Sequence, residues 1–187
     1  MTVGFDSLAQ LIHRRRTSML VDQDRPIPHD VIVELCGLAQ WAPNHKRTWP
    51  WRFAEFIDGG RAVLGDTIAD AMAAGGDDPG KVAKARTKYL RTPAVLVVGS
   101  APGDSPQRTA ENRDAVAAGV QNLLLAATTI DLATFWGSCP KGANDAVAAL
   151  CRFEPGTHVV ALVYLGWATS TVEAPERPEV HLTVVAG

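Results

Sequence analysis

Leu8, Leu11 and Ile12 recur at helical spacing behind Asp6 and Ser7, either of which can accept from the free amides at a helix start. The run ends in Arg14-Arg15-Arg16, charges that suit a helix C-terminus, so a helix is predicted over residues 6–16. After a polar segment from Asp22 to Pro28, Ile32, Leu35, Cys36 and Ala39 repeat at three and four, predicting a second helix that ends before Pro43. The run from Trp51 to Ile57 is aromatic and apolar, closes on Asp58-Gly59-Gly60 and reads as a strand. A helix over 61–74 follows, then the breaker from Gly75 to Gly80, a short basic helix over 81–89 and a buried strand over 94–98.

Beyond a loop at 101–106, the stretch 110–130 is rich in Ala and Leu, lacks proline and turns nearly apolar from Val116, which predicts a long central helix. Thr134-Phe135-Trp136 reads as a short extended segment, 143–151 as a helix and 159–165 as a β-branched buried strand. The tail from Ala168 is polar and punctuated by proline. The order ααβααβαβαβ has no internal repeat and keeps no strict βαβ rhythm, so an α+β layer fold is expected.

Composition narrows this to a folded chain: 187 residues, 47% hydrophobic and 20% charged, a size that favours one domain over residues 1–187. A net charge of -2 offers no global field for nucleic acid or an anionic membrane. Cys36, Cys139 and Cys151 make neither a disulfide framework nor a C-x-x-C pair, and the five histidines form no ligand spacing, so no metal site is expected. The N-terminus, Met-Thr-Val-Gly-Phe-Asp, lacks a basic segment followed by an apolar run, and the longest apolar stretch falls far short of the ~20 residues that span a bilayer. A cytoplasmic location is the expectation.

Three patches could carry chemistry. Arg14-Arg15-Arg16-Thr17-Ser18 sets three guanidinium groups beside two hydroxyls, which suits a phosphate; a solvated basic helix end would read the same way. The stretch from Ala42 to Phe53 is a polar, basic loop with two tryptophans, apt for a planar, polar-edged ligand such as an isoalloxazine ring, or simply a connector anchored by its aromatics. In the stretch from Thr134 to Pro140, Gly137 allows close approach of backbone to a ligand, as a plain tight turn also would. Cys139 invites a nucleophile reading, but no His or Asp stands at a recognisable family spacing from it. No G-x-G-x-x-G, P-loop, G-x-S-x-G or paired-carboxylate motif is present, and a flavin would carry its own reactive centre.

In this order the patches resemble the FMN-dependent nitroreductase family, specifically its members of under 200 residues. Arg15-Arg16-Thr17-Ser18 is similar to the family's R-R-S motif, and Ala42-Pro43-Asn44-His45 through Pro50-Trp51-Arg52-Phe53 to its A-P-(S/D)-(S/H)-x-x-x-Q-P-W-x-F. Asn122-Leu123-Leu124-Leu125-Ala126-Ala127 resembles its N-L-x-L-A-A helix, and Tyr164-Leu165-Gly166 its closing strand. The resemblance implies a three-layer α+β fold with a central mixed β-sheet flanked by helices, in an intertwined homodimer holding FMN at the interface. It implies Arg15, Arg16 and Thr17 at the phosphate and ribityl end, Trp41 and His45 approaching the flavin from the partner subunit, and Trp136, Gly137 and Ser138 along the ring. It also implies a two-step cycle in which NADH or NADPH gives hydride to FMN and a nitroaromatic or quinone-type acceptor takes the electrons, with no side chain as essential nucleophile.

Two alternatives keep parts of this reading. One is a flavin-binding module of the same fold specialised for another reduction or for flavin breakdown. The other is a non-enzymatic, phosphate-binding interaction protein. The sequence departs from the family pattern at Trp49, where Gln is usual, and at Asp131, where glycine is usual; the first bears on the acceptor. Lys84 or Arg86 could place a charge at the flavin's pyrimidine edge or lie on a solvated helix face, and Arg177 is a weak candidate for a further phosphate contact.

Overall fold

The computed structural model describes residues 4–187, so Met1, Thr2 and Val3 of the N-terminal reading lie outside it. Its elements are α1 (Phe5–Arg14), β1 (Val21–Asp22), α2 (His29–Ala39), β2 (Trp51–Ile57), α3 (Gly60–Ala74), α4 (Pro79–Lys88), β3 (Ala94–Ser100), α5 (Pro106–Thr129), β4 (Leu132–Gly137), α6 (Asn144–Leu150) and β5 (His158–Ala168).

β3 lies between β2 and β5 and pairs with both antiparallel, from Trp51↔Ser100 to Ile57↔Ala94 on one side and from Ala94↔Leu165 to Ser100↔His158 on the other. β4 pairs antiparallel with β5 from Leu132↔Trp167 to Gly137↔Leu162, and the two-residue β1 pairs antiparallel with the end of β5. Every named ladder is therefore antiparallel. The mixed sheet expected above is reduced to one parallel bridge, Thr17↔Thr134, which ties the chain leaving α1 to β4.

Each side of the sheet is covered, which explains why β3 is apolar from Ala94 to Val98; all seven of its residues are buried. Leu96 and Val98 face a core shared with Ile32 and Leu35 of α2 and Val116, Val120 and Leu123 of α5. Val95 and Val97 face the opposite core, built from Leu64 and Ile68 of α3, Tyr89 after α4 and Val147 of α6. At Gly119 the helices nearly touch: a Cβ there would stand 2.5 Å from the Ala39 carbonyl oxygen and 2.5 Å from Trp51 Nε1.

Several boundaries move for local reasons. α4 and α5 begin earlier than their apolar periodicity suggests, because Asp78 and Ser105 accept from the amides of Lys81 and Arg108 and a proline follows each cap. α1 begins behind Gly4 without a side-chain cap; Asp6 sits in its first turn instead of capping it. The tail beyond Ala168 has no regular structure and is not only polar, since Val180, Leu182, Val184 and Val185 are each at least 80% exposed.

Candidate functional site

α1 stops at Arg14, and the chain then runs extended beside β4, where Ser18 N–H donates to the Thr134 carbonyl at 2.9 Å. An extended strand alternates its side chains. Arg16 and Ser18 accordingly line one cavity of about 310 Å³, together with Thr128, Asp131 and Ala133. Met19 lines a second cavity of about 400 Å³ with Lys88, Arg91, Phe135, Trp136, Gly137, Ser138 and Tyr164. Arg16 of the sequence-derived set thus lines the first cavity, and Trp136, Gly137 and Ser138 line the second.

Among the described residues, no ion pair engages Arg14, Arg15, Arg16 or Arg177, although Asp131 lines the same cavity as Arg14 and Arg16. Burial, and then the positive fields of Arg16 and Arg177, hold the Arg15 guanidinium below its usual pKa. Arg16 donates from Nη1 to the Arg15 carbonyl at 2.7 Å, while its Nε is buried with no partner. Arg15 and Arg16 are half-buried like charges, and such a pair with an orphaned donor is stabilised by an anion. Arg177, a weak candidate in the sequence, belongs to this field because the tail returns to it.

The second cavity has apolar and aromatic walls with a cationic edge. Tyr164 stacks on Tyr89 with centroids 5.7 Å apart and meets Phe135 edge-on at 5.6 Å, which fixes the wall behind Gly137. A Cβ at Gly137 would lie 3.2 Å from the Tyr164 ring and 3.3 Å from the Leu162 carbonyl oxygen, a tight fit against the sheet. Lys88 is half-buried, and burial lowers its pKa. The cations here are Lys88 and Arg91, not those suggested by the sequence. Lys84 is exposed and lines neither cavity, and Arg86 is held on the outer face by Asp66 at 3.0 Å and Asp70 at 2.6 Å. The signal that could have found Lys88 is its place before Tyr89, a side chain buried completely in the core.

Trp41 and His45 line neither cavity within this chain. Trp41 is 84% exposed just beyond α2, and His45 Nδ1 lies 3.0 Å from Glu111 Oε2 and 2.9 Å from Arg108 Nη1. Trp49, the departure that bears on the acceptor, also lines neither cavity; its backbone is left-handed (φ 50) and its ring is turned outward beside Trp51. Asp131 occupies a left-handed position (φ 60) on the turn into β4, which accounts for a glycine serving there in the family pattern; Asp is among the residues that tolerate it.

The family model described as the nitroreductase family matches residues 12–167. A Bacillus subtilis protein provisionally named as the NAD(P)H nitroreductase YfhC is 24% identical over 178 residues, spanning 94% of this chain and 92% of its own. The crystal structure of a nitroreductase-like family protein from Bacillus cereus superposes with a TM-score of 0.83 at 25% identity, covering 100% of both chains. A nitroreductase with bound FMN from Bacteroides fragilis shares the fold at a TM-score of 0.74 and 18% identity, over 96% of this chain and 98% of its own. The match runs from the end of α1 to the end of β5 and takes in the second cavity and the part of the first that Arg14, Arg16, Ser18 and Asp131 line, and on that extent this chain belongs to the nitroreductase family.

Proposed function

We propose that this chain, as one domain in a homodimer, is an FMN-dependent oxidoreductase that takes hydride from NADH or NADPH and delivers it to nitroaromatic or quinone-type acceptors. The observation that carries this reading is the arginine group beside β4, in no ion pair among the described residues, with its orphaned Arg16 Nε. Arg15, Arg16 and Thr17 hold the phosphate and ribityl end of FMN, and Arg177 adds charge from the tail. Trp136, Gly137 and Ser138 lie along the ring, and Lys88 and Arg91 stand at its polar edge. The chemistry that FMN supplies when bound is the reversible acceptance of a hydride. The side chains bind, orient and exclude water; a cation at the ring's edge favours the charge that reduction brings.

The surface left uncovered supports the dimer. Phe5 is 85% exposed and Trp41 84%, and the apolar positions near the chain end are bare, surface that a second copy would bury. Trp41 and His45 then reach the flavin held mainly by the other subunit, which accords with their separation from both cavities here. Among the described residues no helix is long and apolar enough to cross a membrane, and the working location is the cytoplasm.

The test is an absorption spectrum of the freshly purified protein, followed by anaerobic addition of NADH and then NADPH. Flavin bands that bleach with either donor are the expected result. A colourless protein that takes up no FMN on reconstitution overturns the reading and returns the arginine group to a phosphate-bearing partner. Bands that bleach while nitroaromatic and quinone acceptors fail to reoxidise the protein leave the flavoenzyme and overturn the acceptor class.

A further inference from the structure

The loop from α2 to β2 is held under strain. Lys46 (φ 63), Arg47 (φ 53) and Trp49 (φ 50) are all left-handed without being glycine, a state that persists only where the surroundings impose it. The imposing groups are visible. Asn44 Oδ1 accepts from Trp49 N–H at 3.0 Å, Asn44 Nδ2 donates to Thr48 Oγ1 at 3.0 Å, and Thr48 Oγ1 donates to Asn112 Oδ1 at 2.6 Å. Asn112 is 2% exposed and donates in turn to the Ala101 carbonyl at 3.1 Å, so the loop is fastened to the strand end and the first turns of α5.

Between loop and helix lies a cavity of about 460 Å³, lined by Lys46, Thr48, Gly103, Asp104, Arg108 and Asn112 among others. Its charges are specific. Lys46 is in no ion pair among the described residues. Arg108 is half-buried and shares Glu111 with His45. Asp104 is the single carboxylate in the lining. Lys46 in no ion pair, Arg108 paired with Glu111 through Nη1 alone, and one carboxylate in the lining match a phosphorylated ribose, whose phosphate seeks the cations and whose hydroxyls seek an acceptor. His45 is bonded to the same Arg108, and where the proposed function brings His45 to the partner's flavin, the cavity would stand beside that flavin's hydride donor.

We infer that this cavity receives the phosphorylated adenosine end of the nicotinamide dinucleotide, with Lys46 and Arg108 toward a phosphate and Asp104 toward a ribose hydroxyl. The identity of the ligand rests on the flavoenzyme reading above. The phosphate is either the diphosphate common to both donors or the 2′-phosphate peculiar to NADPH. A Lys46→Ala effect on NADPH alone assigns the 2′-phosphate, and an equal effect on both donors assigns the diphosphate.

The experiment titrates ADP and 2′,5′-ADP into the flavin-loaded full-length protein and, in parallel, measures KM for each donor and for the acceptor. Lys46→Ala is expected to weaken nucleotide binding and raise donor KM roughly tenfold, the effect of one charge-assisted contact, with acceptor KM and flavin content unchanged. Lys46→Arg restores most of the loss. The inference is overturned if neither nucleotide binds the native protein, or if Lys46→Ala binds both as well as the native protein does. Nucleotide binding that depends on Lys46 in a protein that oxidises neither NADH nor NADPH would uphold the cavity and sink the hydride-donor reading instead.

Discussion

Arg52 on β2 grips Glu154 ahead of β5 through two bonds, Nε to Oε2 at 2.9 Å and Nη2 to Oε1 at 2.5 Å, while its Nη1 donates to the carbonyls of Trp49 and Trp51. One side chain thus joins the strained loop, the edge strand and the turn entering the central strand β5. The bond from Arg52 is the largest influence holding the Glu154 carboxyl below its usual pKa. A carboxylate depressed in the folded state contributes stability that is present above its unfolded pKa, near ~4.3, and lost as pH falls through the folded one. Arg52→Leu should therefore lower stability at neutral pH and flatten the acid limb of the profile below that range. Because the two side chains are 35% and 39% exposed, solvent screens the pair, and the loss should be only about 0.5–1 kcal/mol. Urea unfolding of both proteins from pH 7 down to pH 3 checks the sign; a variant with an unchanged acid limb would show that the pair contributes nothing.

Gly119 allows α5 to approach α2 and the buried Trp51. An alanine methyl would stand 2.5 Å from both Ala39 O and Trp51 Nε1, and backbone cannot yield as a flexible side chain can. Gly119→Ala should cost roughly 1–3 kcal/mol through overpacking, despite the better helix propensity of alanine. Thermal denaturation decides this: a melting point equal to or above the native one would mean that the helices separate more easily than the contact implies.

The Arg15 group makes a different demand, because it should affect ligand and not fold. Arg15→Ala removes one of several mutually repelling cations and no ion pair, so the apoprotein should unfold at or slightly above the native denaturant midpoint. FMN affinity should fall ten- to a hundredfold, the equivalent of a lost charge-assisted contact of ~1.5–3 kcal/mol. Fluorescence titration with FMN separates the two readouts, and native affinity in the variant would show that the phosphate lies elsewhere.

Much of this could be read from residues alone, and the misses have physical causes. Residues 51–57 matched β2 at both ends because an apolar aromatic run met Asp58-Gly59-Gly60, whereas the two-residue β1 carries no periodicity to detect. The long central helix was legible from Ala110 onward, but its first residues, Pro106 to Thr109, are betrayed only by Ser105-Pro106. Lys84, Arg86 and Lys88 look alike in a basic stretch, yet only Lys88 borders the cavity. That difference depends on how α4 packs against α3 before Tyr89 enters the core, a tertiary relation that no local spacing encodes. The arginine cluster was visible as composition, whereas its lack of acidic partners and the contribution of Arg177 depend on how distant segments meet.

The cysteines supply the last prediction, since Cys139 borders Ser138 of the candidate ring cavity and a thiol there invites a catalytic role. All three are free and only partly accessible. Burial is the main cause in each case, pushing Cys139 up to about 11 and Cys36 and Cys151 up to about 12, with Lys88 pulling Cys139 only partly back. The reactive form is the thiolate, so at pH 8 a thiol of pKa 11 presents on the order of one thiolate in a thousand molecules. Labelling of the native protein by iodoacetamide should be slow at neutral pH and quicken only in alkali, while urea-unfolded protein labels readily. Cys139→Ser should keep the native rate of flavin reduction, because no bond to sulfur is needed when the cofactor carries the hydride. Fast labelling of Cys139 at pH 7, together with loss of reduction in the serine variant, would restore the thiol as a nucleophile.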